Sequence, residues 1–304
     1  MPNLAPVDDT YAEAFRSIYA EILITARDRY WVDQAVNACT GNASSTILCD
    51  CEAGMSHYVE PRDTPDGRPG AVVQFHVPRF WKDRAEKLER SLLVRVSQNV
   101  LTCPTTACFS TMHDAETYFK LGRKISYFGD GHQFRDERFG RPGWVIPILG
   151  GEFFLDRRFG FRDGLMGGNL WYFGHTIDAA VDAAMKGVEA ARRPGVIMPF
   201  PGGLAGSGSK AGSKYKFIVG STFAEYCPTL RDKPGVTTRL PAGVVSVQEI
   251  ILNGCDLNTI AAAMQAAIQS SRHTQGLERI SAGNYAGKLG KSFIYLHPEK
   301  QPVV

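Results

Sequence analysis

The feature that most constrains the fold of this chain is an order of strands and helices that occurs twice. Four segments carry apolar residues at helical spacing, and strand-like runs flank each of them. Each half therefore reads β-α-β-β-α-β, although the last strand of the first half is poorly defined. The predicted helices cover residues 31–40, 83–100, 176–191 and 256–270, and the predicted strands cover residues 22–26, 46–49, 71–77, 169–175, 196–200, 244–252 and 279–284.

This order of elements is the split βαβ, or ferredoxin-like, arrangement. Two copies predict an α+β protein made of duplicated ferredoxin-like lobes with long inserted loops. We expect the lobes at residues 1–150 and 151–304, and the halves share this pattern without visible sequence identity. The insertions at residues 109–161 and 199–242 are long for plain connectors, and long loops on a rigid scaffold often carry function.

Composition excludes several classes of protein. The chain has 304 residues, of which 44% are hydrophobic and 21% charged, as in globular proteins. A net charge of +3 is too balanced for a polyphosphate-binding protein, but it leaves a small anionic substrate open. No signal peptide is visible, and no apolar stretch approaches the ~20 residues that cross a bilayer. Without a signal peptide, the seven cysteines predict reduced thiols and a cytoplasmic location.

Neither the cysteines nor the histidines have the spacing of a metal site. There is no Cys-x-x-Cys motif, and the pairs Cys49/Cys51 and Cys103/Cys108 lack nearby histidines. Free cysteines are often small buried residues, which is the favoured interpretation here. The seven histidines are isolated from one another. These residues therefore predict no metal site.

Two Gly-rich segments are similar to phosphate-binding loops without matching them. Residues 206–210 and 287–292 both combine glycine with lysine and serine. Neither fits G-x-x-x-x-G-K-[ST], since Tyr285 lies where the second segment would need a glycine. Neither has the strand-to-helix context of a dinucleotide site. Nucleotide binding is therefore disfavoured, and there is no G-x-S-x-G motif.

Glu249 is the strongest candidate for a catalytic carboxyl. Alternation along the strand predicted at residues 244–252 places Glu249 on one face with Val245, Val247 and Ile251. A charge in such surroundings is costly, so we expect the pKa of this carboxyl to rise, which suits a proton shuttle near neutral pH. The alternatives are an edge strand with Glu249 in water, or a buried Glu249 paired with an arginine.

The Gly/Ser-rich segment at residues 199–214 is the second candidate. Its glycines let the backbone approach a ligand closely. Ser207 and Ser209 can donate hydrogen bonds, while Lys210 and Lys214 can face carboxylates or phosphates. The alternative is a flexible loop whose lysines are solvated.

Eight short segments, in one order along the chain, carry a resemblance to a known family. The matching segments are residues 9–15, 23–26, 64–70, 128–131, 199–203, 207–214, 226–229 and 280–290. On these segments the chain resembles the formylmethanofuran:tetrahydromethanopterin formyltransferases over nearly its whole length. The resemblance implies a duplicated ferredoxin-like fold and a homo-oligomer, dimer or tetramer, with active sites in clefts at a subunit interface.

The resemblance also implies a reaction. The family moves a formyl group between the amine of methanofuran and N5 of tetrahydromethanopterin, which act as co-substrates without metal or prosthetic group. The family's proposed catalytic glutamate matches Glu249. The residues that we expect to bind substrate are Asp130, His132, Ser207, Ser209, Lys210, Lys214 and Asn284.

The mildly basic composition is similar to the bacterial, methylotroph-type branch of the family, since archaeal members are typically acidic. That branch implies a formyltransferase/hydrolase complex with amidohydrolase-like subunits, working toward formate in formaldehyde oxidation. Direction follows from metabolic context, which the residues do not supply. The alternative is a non-catalytic subunit that binds a pterin or organises partner subunits. A formyl hydrolase is disfavoured, because metal ligands at usable spacing are lacking.

Overall fold

The computed structural model describes residues 4–300. These residues contain fifteen strands and five helices. The strands are β1 (Tyr11–Thr25), β2 (Glu52–Val59), β3 (Gly70–Pro78), β4 (Ala107–Ser110), β5 (Tyr118–Phe119), β6 (Phe134–Arg138), β7 (Arg141–Ile148), β8 (Gly151–Asp156), β9 (Phe159–Gly174), β10 (Val196–Ile197), β11 (Lys210–Ala211), β12 (Gly220–Ser221), β13 (Ser246–Gly254), β14 (Leu277–Ser281) and β15 (Ser292–Tyr295). The helices are α1 (Arg29–Thr40), α2 (Arg84–Arg95), α3 (Leu121–Ser126), α4 (Ile177–Ala191) and α5 (Leu257–Ser271).

The described chain forms two compact units. Residues Arg16–Gly164 form the first unit, and the described residues before and after them form the second unit. Strands β1 and β9 therefore each contribute residues to both units. This boundary lies elsewhere than the lobe boundary that we expect at residue 150, and the division into lobes stays a prediction.

The first unit has four antiparallel strands packed against two helices. Its chain order is β1-α1-β2-β3-α2-β4, and the order of strands in the sheet is β2-β3-β1-β4. Ile22, Ile24 and Phe75 of the sheet are fully buried in one cluster with Val32 of α1 and Leu88 of α2. Strands β6, β7 and β8 form an antiparallel meander within the first predicted insertion.

The second unit repeats this topology. Its chain order includes β9-α4-β10-β13-α5-β14, and its sheet order is β10-β13-β9-β14, with all neighbours antiparallel. Leu170 and Tyr172 of β9 and Ile250 and Leu252 of β13 are buried in one cluster with residues of α4 and α5. Because side chains alternate along a strand, the residues next to these along each strand point to the opposite face. Glu249 is one of them.

The four helices expected from apolar periodicity are confirmed as α1, α2, α4 and α5. Asp256 caps α5 as expected, since its Oδ1 accepts the Thr259 N–H at 2.7 Å. Helix α2 continues into a π-helical turn at Val96–Val100, so the two together account for the long predicted helix. Helix α3 is too short to show periodicity. No helix within residues 4–300 is long and apolar enough to cross a membrane.

One predicted strand is wrong and another is shorter than expected. Residues 46–49 form turns, in which the Ser45 carbonyl accepts two backbone N–H groups. The N–H and hydroxyl of Thr46 bind the Glu52 carboxylate, so this short run is held by local bonds and not by a strand partner. The strand expected at residues 196–200 shrinks to the two residues of β10, because prolines that cannot donate to a ladder follow it.

Candidate active site

Glu249 lies in the middle of β13, inside the sheet of the second unit. It is paired with Trp171 of β9. On its other side, its backbone carbonyl accepts the Ala205 N–H at 2.8 Å. Glu249 is only 3% exposed. The alternative of an edge strand with this carboxyl in water is therefore wrong.

The partner of the Glu249 carboxyl is an indole and not a guanidinium. Trp171 Nε1 donates a hydrogen bond to Glu249 Oε1 at 2.9 Å. Glu249 Oε2 is buried and has no hydrogen-bond partner among residues 4–300. The alternative of a Glu249–arginine pair is wrong as well. Since buried polar atoms are nearly always hydrogen-bonded, an unpaired carboxyl oxygen points to a group used by a ligand or a reaction.

Burial raises the pKa of Glu249 from its ordinary value of 4.5 to about 7. The indole N–H of Trp171 favours the carboxylate and opposes this rise, as do the hydroxyl and backbone N–H of Ser209. Removal from water is the larger effect. Both the carboxylic acid and the carboxylate are therefore populated near neutral pH, so the group can take up a proton and release it again.

A pocket of about 100 Å³ opens beside Glu249 within the second unit. The backbone of residues 205–208 and three aromatic rings line it, together with Glu249. The ring of Trp171 meets the ring edges of Phe223 and Tyr226, with centroids 4.9 and 4.8 Å away. The lining is thus largely aromatic, with one titratable carboxyl whose pKa is near neutral. This composition is typical of a small-molecule site.

The absence of a side chain at Gly283 leaves room for the Trp171 ring. A Cβ atom at position 283 would lie 2.6 Å from the indole ring, closer than real contacts allow. Asn169 fixes this glycine with two hydrogen bonds, from its Nδ2 to the Gly283 carbonyl and from the Gly283 N–H to its Oδ1. Gly283 belongs to the segment 280–290 that carries the family resemblance, so part of that segment supports the indole.

One arginine forms hydrogen bonds to the segment before β13, which packs on the same face of the sheet as Trp171. Arg231 donates to the carbonyls of Leu240, Pro241 and Val244 at 3.2, 2.9 and 2.9 Å. Leu240 and Val244 are buried in one cluster with Trp171. The C-terminal end of the second insertion is therefore packed against this face of the sheet, while residues 206–239 are half-buried or exposed.

The Gly/Ser-rich segment reaches the pocket with its serines. Ser207 lines the pocket, and its hydroxyl donates to the Gly208 carbonyl at 2.9 Å. Ser209 lies next to the Glu249 carboxyl. Lys210 Nζ lies 5.8 Å from the centroid of the pocket residue Phe223. The serines are thus brought to Glu249, while binding of substrate by any of these residues stays a prediction.

The other candidates lie in different surroundings. Lys214 is exposed, with its Nζ 5.0 Å from the Tyr215 ring centroid. Asp130 and His132 belong to the first unit, where both are exposed after a turn of 3-10 helix. Asn284 Nδ2 donates to the Thr10 hydroxyl at 3.0 Å, so this side chain joins the N-terminal segment to the loop after β14. A substrate-binding role for all four stays a prediction.

Glu13 is a structural carboxylate that the sequence analysis did not single out. It is 1% exposed and accepts four backbone N–H groups, from Tyr285, Gly287, Leu289 and Gly290, at 2.6–3.1 Å. Burial raises the pKa of Glu13, but the four N–H groups outweigh it and hold the pKa below its ordinary value. This loop is the second phosphate-loop-like segment, and its amides already bind an internal anion.

Tyr285 links the Glu13 loop to the pocket. Its hydroxyl accepts the Ala211 N–H at 3.3 Å, and its ring centroid lies 6.2 Å from that of Phe223. Burial raises the pKa of Tyr285, the Ala211 N–H lowers it, and the negative charge of Glu249 raises it. Neither Trp171 nor Tyr285 has a local sequence signal, since their role depends on which strands and loops meet.

Three of the seven cysteines are the buried residues that the sequence favours, and the other four are half-buried. Among residues 4–300 all seven cysteines are free, and Cys39, Cys51 and Cys108 are fully buried. Burial raises the pKa of Cys39 and Cys51 to about 12, so they are neutral core residues. Within the same residues, no group of three or more His, Cys, Asp or Glu side chains is arranged to hold a metal ion.

The chain is similar to known proteins over nearly its whole length. The family model described as formylmethanofuran-tetrahydromethanopterin formyltransferase matches residues 2–148, and the one described as FTR, proximal lobe, matches residues 151–298. The formyltransferases of Methanosarcina acetivorans and Methanocaldococcus jannaschii are similar to the chain, with 42% and 43% identity. The matches cover 97% and 94% of this chain and 98% and 94% of those proteins.

Two solved structures are similar in fold over almost the whole chain. The formyltransferase from Methanosarcina barkeri has a TM-score of 0.91 and 42% identity, covering 96% of this chain and 97% of its own. A chain of the formyltransferase/hydrolase complex from Methylorubrum extorquens, solved with methylofuran, has a TM-score of 0.88 and 37% identity, with 97% of each chain covered. The resemblance seen in the sequence is confirmed: the chain belongs to the formylmethanofuran-tetrahydromethanopterin formyltransferase family.

Proposed function

We propose that the chain transfers a formyl group between N5 of tetrahydromethanopterin and the amine of methanofuran or its bacterial analogue. Membership of the family supports this reaction. The observation that carries the proposal is the buried Glu249 carboxyl, with a pKa of about 7, beside an aromatic pocket. Such a group matches a transfer between two nitrogens, which requires one proton to be taken up and one to be returned.

The reaction needs two proton movements and no covalent enzyme intermediate. The attacking nitrogen forms a bond to the formyl carbon, the carbonyl π electrons move to oxygen, and Glu249 takes the proton that this nitrogen loses. The tetrahedral intermediate then collapses. Its oxyanion re-forms the carbonyl, the bond to the leaving nitrogen breaks, and Glu249 returns the proton to that nitrogen. The carboxylate is regenerated, so one side chain serves both half-reactions.

The oxyanion of the intermediate needs hydrogen-bond donors, and removing one such donor typically costs ~10²–10³ in rate. Ser207, Ser209 and His132 are the candidates from the sequence. The position of Ser209 next to Glu249 supports Ser209 among them. The choice between the three stays open.

Activity of the isolated chain separates this proposal from its rivals. The chain would be supplied with a formylated coenzyme and the second coenzyme, and both formyl transfer and formate release would be followed. Transfer without formate supports the proposal. Formate release by the chain alone would support a hydrolase. If neither formyl transfer nor formate release is detected, a non-catalytic pterin-binding or scaffold subunit is supported.

The finer features of the fold and the assembly are also proposed. Each unit has a β-α-β-β-α-β order along the chain. If the four strands of each unit are numbered from 1 to 4 along the chain, their order in the antiparallel sheet is 2-3-1-4. Both features support a duplicated ferredoxin-like fold. Similarity to the Methylorubrum extorquens complex supports hydrolase subunits as partners. A homo-oligomer, amidohydrolase-like partners, the direction toward formate and a cytoplasmic location are retained as the sequence predicts them.

We predict that Lys210 and Lys214 bind negative charge on the coenzyme tails and transfer no proton. Replacing either with methionine should raise the KM for a full-length coenzyme, more so at low salt, because exposed charges are screened by salt. A furan amine without its charged tail should be affected little. The rival interpretation is that Lys210 is the acid. Equal losses of turnover on the full-length and the tail-less substrate would support that interpretation and contradict ours.

A further inference from the structure

The two oxygens of the Glu249 carboxyl have different surroundings. Oε1 accepts the indole N–H of Trp171 at 2.9 Å, while Oε2 is buried without a hydrogen bond within residues 4–300. An indole N–H can donate but cannot accept. A proton on Oε1 would therefore face this donor, whereas a proton on Oε2 would not. The hydroxyl and backbone N–H of Ser209 also lie beside the carboxyl, but a hydroxyl can accept a hydrogen bond as well as donate one. The arrangement therefore favours Oε2 as the oxygen that carries the proton.

Trp171 cannot follow the carboxyl if the carboxyl turns. The residue is 5% exposed, and its ring packs in T-shaped contacts against the rings of Phe223 and Tyr226. The backbone at Gly283 closes a further side of the ring, since even a Cβ atom there would overlap it. The indole is thus a fixed donor, and it fixes one orientation of the Glu249 carboxyl.

We propose that Trp171 is a positioning residue that holds Oε1 of Glu249 and so assigns proton transfer to Oε2. The proposal rests on the function proposed above. One oxygen then takes the proton from the attacking nitrogen and returns it to the leaving nitrogen. Both nitrogens must approach the carboxyl from the same side, and the carboxyl need not rotate between the two half-reactions.

Several other titratable groups lie around Glu249. Tyr226 and Cys227 line the same pocket, from turns that cover the sheet. Tyr285 follows β14 and senses the charge of Glu249. Lys210 of β11 lies over the ring of Phe223. An analogue of Trp171 that keeps the ring size and lacks only the N–H leaves the contacts of the ring with these groups in place, so it isolates the effect of that single donor.

The test is a titration of the Glu249 carboxyl by infrared spectroscopy, with the band assigned by its loss in Glu249→Gln. Trp171→Phe removes the donor that favours the carboxylate. The midpoint should move from about 7 to higher pH by about one pH unit, the usual size for one such bond. The acid limb of the pH–turnover profile should move by the same amount.

Trp144→Phe is the matched control. The indole N–H of Trp144 is buried without a hydrogen-bond partner in the described part of the chain. This change therefore replaces an indole with a smaller ring without removing a hydrogen bond. The Glu249 midpoint should not move. If Trp171→Phe fails to fold, β-(3-benzothienyl)alanine at position 171 keeps the size of the ring and removes the N–H.

The two proposals fail in different ways. An unmoved midpoint in a folded protein without the indole N–H would overturn the positioning role of Trp171, whatever the activity. A midpoint that moves as expected supports the role. If the midpoint moves but the unaltered chain transfers no formyl group, the positioning of the carboxyl stands and the proposed function fails.

Discussion

Replacing Glu249 with glutamine is expected to lower turnover at least about a hundredfold, with KM little changed, because the side chain acts on protons in the transition state. Glutamine keeps the size of the residue and can still accept the Trp171 N–H. It cannot take up or release a proton near neutral pH. Steady-state kinetics with both coenzymes measures the effect. Near-normal turnover in the folded variant would remove Glu249 from the mechanism.

The same variant should be more stable than the unaltered chain at alkaline pH. The folded-state pKa of Glu249, about 7, lies above its ordinary value of 4.5, so the folded protein holds the proton more tightly than the unfolded chain. Stability therefore falls as pH rises from about 4.5 to about 7. Glutamine carries no such penalty, which amounts to about 3 kcal/mol at pH 8 and mostly disappears at pH 5.

Urea unfolding at pH 5 and pH 8 tests this prediction. The exposed Glu189 of α4 is a matched control in the same unit, and Glu189→Gln should change neither turnover nor the pH dependence of stability. Lower stability of Glu249→Gln at both pH values would indicate that the buried carboxyl has a structural role. A gain in stability with a loss of activity would show that the buried charge is kept for catalysis.

Glu13→Gln is expected to destabilise the second unit by roughly 2–4 kcal/mol, because two of the four backbone donors lose an acceptor. An amide has one acceptor oxygen, and its NH₂ group would face the N–H groups of Leu289 and Gly290, which now bind Oε2. The folded-state pKa of Glu13 is lowered. The stabilisation that the Glu13 carboxylate gives to the fold is therefore present above the pKa of Glu13 in the unfolded chain, and it is lost as pH falls through the pKa in the folded protein.

Chemical unfolding at pH 7 and at acidic pH measures this effect. The difference between Glu13→Gln and the unaltered chain should be large at pH 7 and should shrink in acid, where the carboxyl is protonated in both states. Glu189→Gln again serves as control, with a change within ~0.5 kcal/mol. A difference that does not depend on pH would mean that packing, and not the charge of Glu13, holds the loop.

Local patterns were sufficient to predict the four longer helices and to single out Glu249 as the catalytic candidate. The stripe in α4 and the stripe in α5 follow the helical period over fifteen residues each, long enough to exceed chance. Glu249 stood out because a strand alternates, so a carboxyl among aliphatic residues is visible from neighbours two positions away. The pattern left its burial open, because an edge strand would place the same carboxyl in water.

Contacts between distant segments could not be predicted in this way. The Trp171–Glu249 bond depends on the register between β9 and β13, and a strand pattern does not specify register with a distant partner. Glu13 binds a loop more than 270 positions away in the chain. The strand wrongly expected at residues 46–49 failed for a local reason and not because of a distant contact. The nearby Glu52 carboxylate accepts hydrogen bonds from Thr46, and these residues form turns.

The pH dependence of formyl transfer in a single turnover tests the central claim, that the buried Glu249 carboxyl moves the proton. Saturating both coenzymes on excess protein isolates the chemical step from product release. We predict a rate that falls below a pH of about 7, the pKa of Glu249, and a slow rate without this limb in Glu249→Gln. A rate that does not change between pH 5 and pH 9, or the same limb in the glutamine variant, would contradict the account.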